Sequence, residues 1–325
     1  MVAEAHLGSR RLRQRRTVTV VGTWRRRVRM PVRLIVAWCL LSTMILAHPA
    51  FAGEEPNRTR ALAPGIHLRR VVLPGPVRLL VLRIDPAVVD VTAATATGSP
   101  TGYATLREVA SRERALLAVN GDLAAGNGPA HPVIHDGALV GGGGATGGMI
   151  AIDASRTHAA MAIVGSRRRD VAVGRTRAAL RAVAPGAIVD EAFGGQPVLV
   201  HEGRMWPQTC GPLTCVRNPR TAVGLTGGCT DARIWTACEL VIVVVDGRRP
   251  GWSLGMTTHR LARVMVSFGA EEAVNLDGGA SAEARFRGHV LNRVSPGARR
   301  AVVSALIVRS GDPELVPWWQ RRFMP

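Results

Sequence analysis

Two apolar, β-branched runs that each end in a carboxylate followed by glycine, residues 238–248 and 274–281, constrain this chain more than any other feature. Such runs read as buried strands, and glycines at their exits let a ligand approach the backbone closely. Between the two, residues 257–269 carry Thr257 as an N-cap, apolar positions at Leu261, Val264, Met265 and Phe268, and a stop at Gly269. That spacing predicts an amphipathic helix. Strand, helix and strand then predict a βαβ crossover, which brings both strand ends to one sheet edge and Asp246 within reach of Asp277. An antiparallel arrangement would part the two carboxylates.

Two further segments end or begin in polar groups. The apolar run 115–119 leads into Asn120-Gly121-Asp122, and residues 218–225 place Arg220 and Thr221 ahead of another strand. Asn-Gly is a common turn dipeptide, so each of these carboxylates has a plain alternative role as a cap for backbone N–H groups.

In order and spacing, the four segments together resemble the phosphodiester glycosidase family. Residues 120–122 match its Asn-Gly-Gly or Asn-Gly-Asp turn, 219–224 its Pro-Arg-Thr-Ala-Val-Gly motif, 245–248 its Val-Asp-Gly-Arg segment and 275–279 its Asn-Leu-Asp-Gly-Gly motif. The resemblance runs from about Val77 to Arg309. Two departures stand at the expected site walls: Leu123-Ala124-Ala125 where the family often has two phenylalanines, and Ala280 where it has a third glycine. The resemblance implies a single α+β domain with a mixed β-sheet core and flanking helices.

The chemistry follows from the residue types. Glycoside cleavage passes through an oxocarbenium-like transition state and ordinarily uses two carboxyl groups. Asp277, Asp246 and Asp122 are the candidates, with Asp277 central. A phosphate leaving group departs as an anion, so its protonation matters less and a cation to hold it matters more. Arg220 is the first choice for that cation and Arg248 the second. Gly278, Gly279 and Ser281 offer backbone and hydroxyl donors to the same oxygens, and Asn120, Thr221 and Asn275 complete the expected substrate-binding set. The function expected is cleavage of the glycosidic bond of a sugar-1-phosphodiester. The rivals are a non-catalytic module that binds anionic wall glycans and a phosphodiesterase that cuts the P–O bond. Neither an EF-hand spacing nor a His/Cys ligand cluster points to a metal, and no cofactor is assigned.

The N-terminus has the form of an export signal. Residues 25–33 are basic, 34–46 are apolar and Ala50-Phe51-Ala52 is a small-x-small cleavage site. Cleavage is expected after Ala52, and Met30 offers a start that would leave the first 29 residues untranslated. The apolar stretch is short for a membrane-spanning helix, so no stable span is expected after cleavage, an uncleaved anchor being the alternative. Four cysteines then remain, and an even number in an exported chain favours disulfides. The expected pairs are Cys210 with Cys215 and Cys229 with Cys238, the second stapling a hairpin that leads into the Asp246 strand.

Removing residues 1–52, with ten arginines and one glutamate, takes the net charge from +19 to +10. A basic surface favours sugar phosphates or anionic cell-envelope glycans as partners. With one tyrosine, five phenylalanines and no recognised motif, the chain gives no reason to expect nucleic acid. The expected organisation is a signal peptide (1–52), a lead-in (53–76), a catalytic domain (77–310) and a tail (311–325). Within the domain, residues 77–84 and 88–94 read as strands and 103–114 as a helix. Residues 131–137 read as a hairpin bearing His131 and His135, 141–148 as a glycine-rich loop, 167–181 as a solvated basic stretch, and 193–197 as a loop lining the pocket.

Overall fold

The computed structural model describes residues 57–230, 238–296 and 301–311. The signal segment and most of the tail lie outside them. Strands dominate, and they form an eight-stranded sheet, two five-stranded sheets and two short ribbons. Each strand pairing among the described residues is antiparallel. The expected mixed sheet is therefore replaced by antiparallel ones, and the few helices are short.

The centre of the large sheet explains both the crossover and its departure from expectation. Leu240–Val245 and Ala270–Asn275 run in the same sense, and Thr258–Ser267 crosses between them as the predicted helix. They are not neighbours. Arg220–Thr226 lies between them and is antiparallel to both, with Arg220 opposite Val245 and Ala222 opposite Asn275. One sheet edge thus gathers the start of the Arg220 strand and the ends of the two outer ones. The Thr257 hydroxyl caps the helix by accepting from the Arg260 N–H at 3.2 Å.

Burial on both faces makes these strands continuous apolar runs rather than alternating ones. Val241, Val243 and Val245 pack with Leu261, Val264 and Met265 of the helix, whereas Ile242 and Val244 face the opposite cluster with Leu80, Leu82 and Ile84. The sheet also begins earlier than the boundary expected at Val77, because Thr59–Ala63 and Ile66–Leu73 are its first two strands.

Leu106–Arg112 is a helix with a full capping box between Thr105 and Glu108, and it precedes the strand Leu117–Asn120. The basic stretch near 167–181 is a helix, Arg169–Val183, that buries Ala172, Thr176 and Leu180 and is solvated on its other side. Val133–His135 pairs with Ala138–Gly141 as the expected hairpin, and Gly147 already opens a strand. The pairs Cys210–Cys215 and Cys229–Cys238 are both disulfide-bonded. Cys229 sits in the helical turn Gly227–Thr230 and Cys238 just before the Leu240 strand, while the residues linking them, 231–237, lie outside the described set.

Candidate active site

A cavity of about 640 Å³ opens at the edge where the three central strands converge. Arg220, Arg248, Asn275, Asp277, Gly278 and Gly279 line its floor, joined by Thr146 and Gly147 on one side and residues 206–209 on another. Asp277 is the one carboxylate in that lining. Its Oδ1 accepts from the Gly278 N–H at 2.8 Å, and the Ser281 hydroxyl bonds to the same group. Burial nevertheless raises its pKa above the ordinary value, and the nearby charge of Asp122 pushes in the same direction against these hydrogen bonds.

The turn after Asp277 requires its glycines. Gly279 has φ +62°, and a side chain there would meet the Arg248 guanidinium at 3.1 Å; one at Gly278 would meet the Pro219 carbonyl oxygen at 2.7 Å. The Gly279 N–H in turn donates to Pro219 O at 3.0 Å, so this turn is locked against the segment that delivers Arg220.

Arg220 is 5 % exposed and its hydrogen bonds go to two backbone carbonyls, Met256 O at 3.1 Å and Val216 O at 2.8 Å. No carboxylate among the described residues pairs with it. Desolvation, and then the neighbouring Arg248, push its pKa down to about 10. Arg248 is held by the Asn218 side chain at 3.1 Å. Two guanidinium groups thus share the cavity with one carboxylate, an arrangement short of negative charge.

Asn275 adds an unpaired acceptor. Its Nδ2 donates to Gln196 O at 2.9 Å and Leu276 O at 2.7 Å, which fixes the amide orientation, and its buried Oδ1 is left with no hydrogen-bond donor. A buried acceptor of this kind at a cavity wall suits a hydroxyl or N–H of an incoming ligand.

The remaining expected site residues stand behind the cavity. Asn120 is fully buried: its Nδ2 donates to Asp277 O at 2.7 Å, and its Oδ1 accepts from the Thr221 hydroxyl at 2.7 Å and the Glu283 N–H at 3.2 Å. Asn120 and Thr221 therefore anchor the Asp277 turn rather than line the cavity. Asn120→Ala would strand three buried groups. It is expected to cost roughly 3 kcal/mol of stability, read by chemical denaturation, since each stranded group costs about 1–3 kcal/mol.

Asp122 is also buried. It accepts from the Leu123 N–H at 2.7 Å and the His131 N–H at 2.6 Å, and its carboxylate meets His131 Nδ1 at 3.0 Å. His131 Nε2 lies 3.2 Å from Thr146 O, so this pair supports the Thr146 wall from beneath. Asp246 shares the sheet edge with Asp277 but not the cavity lining. Trp252 Nε1 donates to its Oδ2 at 2.7 Å and the Arg293 N–H to its Oδ1 at 3.0 Å, which ties two loops to the strand end. His135 lies apart from the cavity lining and hydrogen-bonds Glu191 at 2.7 Å. With Asp136 these two form the one cluster among the described residues with metal-ligand geometry.

Sequence reasoning missed one wall. Trp206, Pro207, Gln208 and Thr209 lead into the Cys210–Cys215 loop, and Leu213 and Thr214 inside that loop also reach the cavity. Trp206 is 37 % exposed and packs edge-on to His201 at 5.3 Å, which leaves it as an aromatic surface at the cavity. Leu123 lines the cavity as well.

Comparison with known proteins gives consistent results. The phosphodiester glycosidase family matches residues 113–309. A curated relative, the SPbeta prophage-derived uncharacterized protein YomE of Bacillus subtilis strain 168, is 28% identical over 218 residues, which is 66% of this chain and 31% of that protein. The chain thus spans about a third of that relative's length. Among solved structures, the zebrafish N-acetylglucosamine-1-phosphodiester alpha-N-acetylglucosaminidase catalytic domain, auto-inhibited by its pro-peptide, matches at 18% identity. Its TM-score is 0.54, over 80% of this chain and 85% of that one. A hypothetical protein from Synechocystis matches at 16% identity and TM-score 0.56, over 79% and 64% of the two chains. A protein from Burkholderia pseudomallei K96243 matches at 16% identity and TM-score 0.52, over 72% and 74% of the two chains.

Proposed function

Because the chain belongs to the phosphodiester glycosidase family, we propose that it hydrolyses the glycosidic bond of a sugar-1-phosphodiester outside the cytoplasm. The observation that carries this reading is the charge inventory of the cavity: one carboxylate, Asp277, against two arginines, Arg220 and Arg248. Ordinary glycosidases need a second carboxyl group to protonate the leaving oxygen. A phosphate monoester leaves as a stabilised anion, and preorganised cations are what its departure uses. Asp277 acts at the anomeric carbon, and retention or inversion of configuration tells whether it attacks directly or activates water. Arg220 and Arg248 take the phosphate. Asn275 Oδ1 accepts from a sugar hydroxyl or amide, and Trp206 supplies an apolar ring face in place of the family's phenylalanines. Asp122, Asn120 and Asp246 serve as positioning residues. Two disulfides support an oxidising compartment, and no helix among the described residues is long and apolar enough to cross a membrane.

The test is hydrolysis by residues 53–325 in oxygen-18 water, beginning with an N-acetylglucosamine-1-phosphodiester as the zebrafish neighbour's name suggests. Label in the released sugar is the expected result. Label in the phosphate would replace the proposal with P–O cleavage, and tight binding without turnover would replace it with a binding module.

A further inference from the structure

A second basic site lies away from the cavity. The helix Leu106–Arg112 and the hairpin formed by Ala284–Phe286 and His289–Val290 border a groove of about 770 Å³, lined by Arg107, Ser111, Arg114, Arg285, Arg287 and His289 and by no carboxylate. The acids nearest in sequence are already committed. Glu108 closes the helix capping box, Glu113 pairs with Arg112 and Arg309, and Glu283 pairs with Arg285 at 2.5 Å. Arg107, Arg114 and Arg287 are exposed and form no ion pair among the described residues.

Backbone conformation marks two of these arginines. Arg114 has φ +52° just past the helix end, and Arg287 has φ +48° at the tip of a two-residue hairpin turn with Gly288. Both positions favour glycine or asparagine, because a longer L side chain there costs about 1–2 kcal/mol. Of the other two arginines with positive φ, Arg248 lines the cavity and Arg156 pairs with Asp90, whereas the Arg287 guanidinium meets only the Phe286 ring, 5.4 Å from its centroid, and keeps its charge unpaired among the described residues. Two arginines thus stand at the groove in backbone conformations that Asn or Gly would adopt at lower cost.

The groove is tied to the element that holds the Asp277 turn. Arg287 N–H bonds to Leu116 O at 2.8 Å at the start of the strand Leu117–Asn120, whose far end carries the Asn120 contact to Asp277. We propose that this groove is a docking surface for an anionic glycan polymer joined by phosphodiesters, which it holds while an end of the chain enters the Asp277 cavity. The choice of a polyphosphodiester glycan rests on the function proposed above and on the oxidising compartment that the disulfides favour.

The test is a binding titration of residues 53–325, in an Asp277→Asn background, against a poly(glycerol phosphate) chain. A DNA duplex of matched charge and anionic phospholipid vesicles are titrated in parallel. The variant is Arg114→Asn with Arg287→Asn, which gives each backbone position a residue it prefers and so keeps the fold. Expected is an affinity loss of about tenfold or more, and a log K against log salt slope of about −2 in the parent that becomes shallower in the variant. The same double variant with Asp277 restored should hydrolyse a small phosphodiester at the parental rate. Equal polymer binding by parent and variant would overturn the proposal, as would tighter binding of DNA or vesicles than of the polymer. Because the titration involves no turnover, failure of the hydrolytic reading would show separately.

Discussion

Asp277→Asn is expected to lower kcat/KM for a sugar-1-phosphodiester by about three orders of magnitude or more while raising the thermal midpoint at neutral pH. The loss of rate follows from removing the single carboxylate that lines the cavity. The gain in stability follows from the pKa. Burial raises the Asp277 carboxyl above 3.8, with Asp122 adding to the shift, so the folded protein binds this proton more tightly than the unfolded chain does. Its contribution to stability is complete below the unfolded value and is lost as pH rises through the folded one. Asparagine keeps a side-chain oxygen to accept from the Gly278 N–H without that loss. The midpoint difference between variant and wild type should be positive at pH 7 and shrink as pH falls toward 3.8. The same raised pKa places the acid limb of the kcat/KM profile above the ordinary aspartate range. Retained turnover in Asp277→Asn would remove this residue from the reaction. An unchanged midpoint at pH 7 would mean that its carboxylate is better solvated than its surroundings indicate.

The cavity floor was legible in the sequence because each part of it sits at the end of an apolar run. Asn275, Asp277 and Gly278 follow one strand and Arg220 begins the strand beside it; period and punctuation marked each strand end, and the resemblance to the family is what grouped Arg220 with the others. What the runs do not encode is which strand lies between two others. Arg220–Thr226 comes before both of its partners in the chain, and its insertion between them turned an expected parallel pair into an antiparallel centre. Nor does a strand end say whether its carboxylate faces a cavity or a neighbouring loop. Asp246 and Asp277 close similar runs, yet Asp246 is turned to Trp252 and Arg293, partners 6 and 47 residues away that no local pattern announces. The wall of Trp206 and Gln208 was missed for a related reason. It belongs to an irregular, disulfide-closed loop whose only sequence signals, Pro207 and the cysteine pair, speak of its connectivity and not of what it faces.

The charge imbalance of the cavity gives the second large effect. Arg220→Met should lower kcat/KM for the phosphodiester by about 10²–10³-fold, the range found when one preorganised donor to a developing oxyanion is removed. Hydrolysis of the same sugar carrying a neutral aryl leaving group should change far less, because no phosphate is there to be held. Arg220→Lys separates charge from geometry. An ammonium keeps the positive charge but lacks the planar fork, and it cannot at once donate to Met256 O and Val216 O and face the cavity, so only part of the activity should return. Binding reports the same residue without turnover. Inorganic phosphate should raise the thermal midpoint of the wild type in proportion to ligand occupancy, and Arg220→Met should abolish that shift. The reason lies in the resting cavity, where burial and the adjacent Arg248 push the Arg220 pKa down to about 10 with no carboxylate among the described residues to offset them. The negative charge of an arriving phosphate offsets both at once. Should Arg220→Met weaken hydrolysis of the phosphodiester and the aryl glycoside equally, the arginine would be acting on the fold of the turn at Gly279, through Pro219, and the phosphate would have to be held elsewhere.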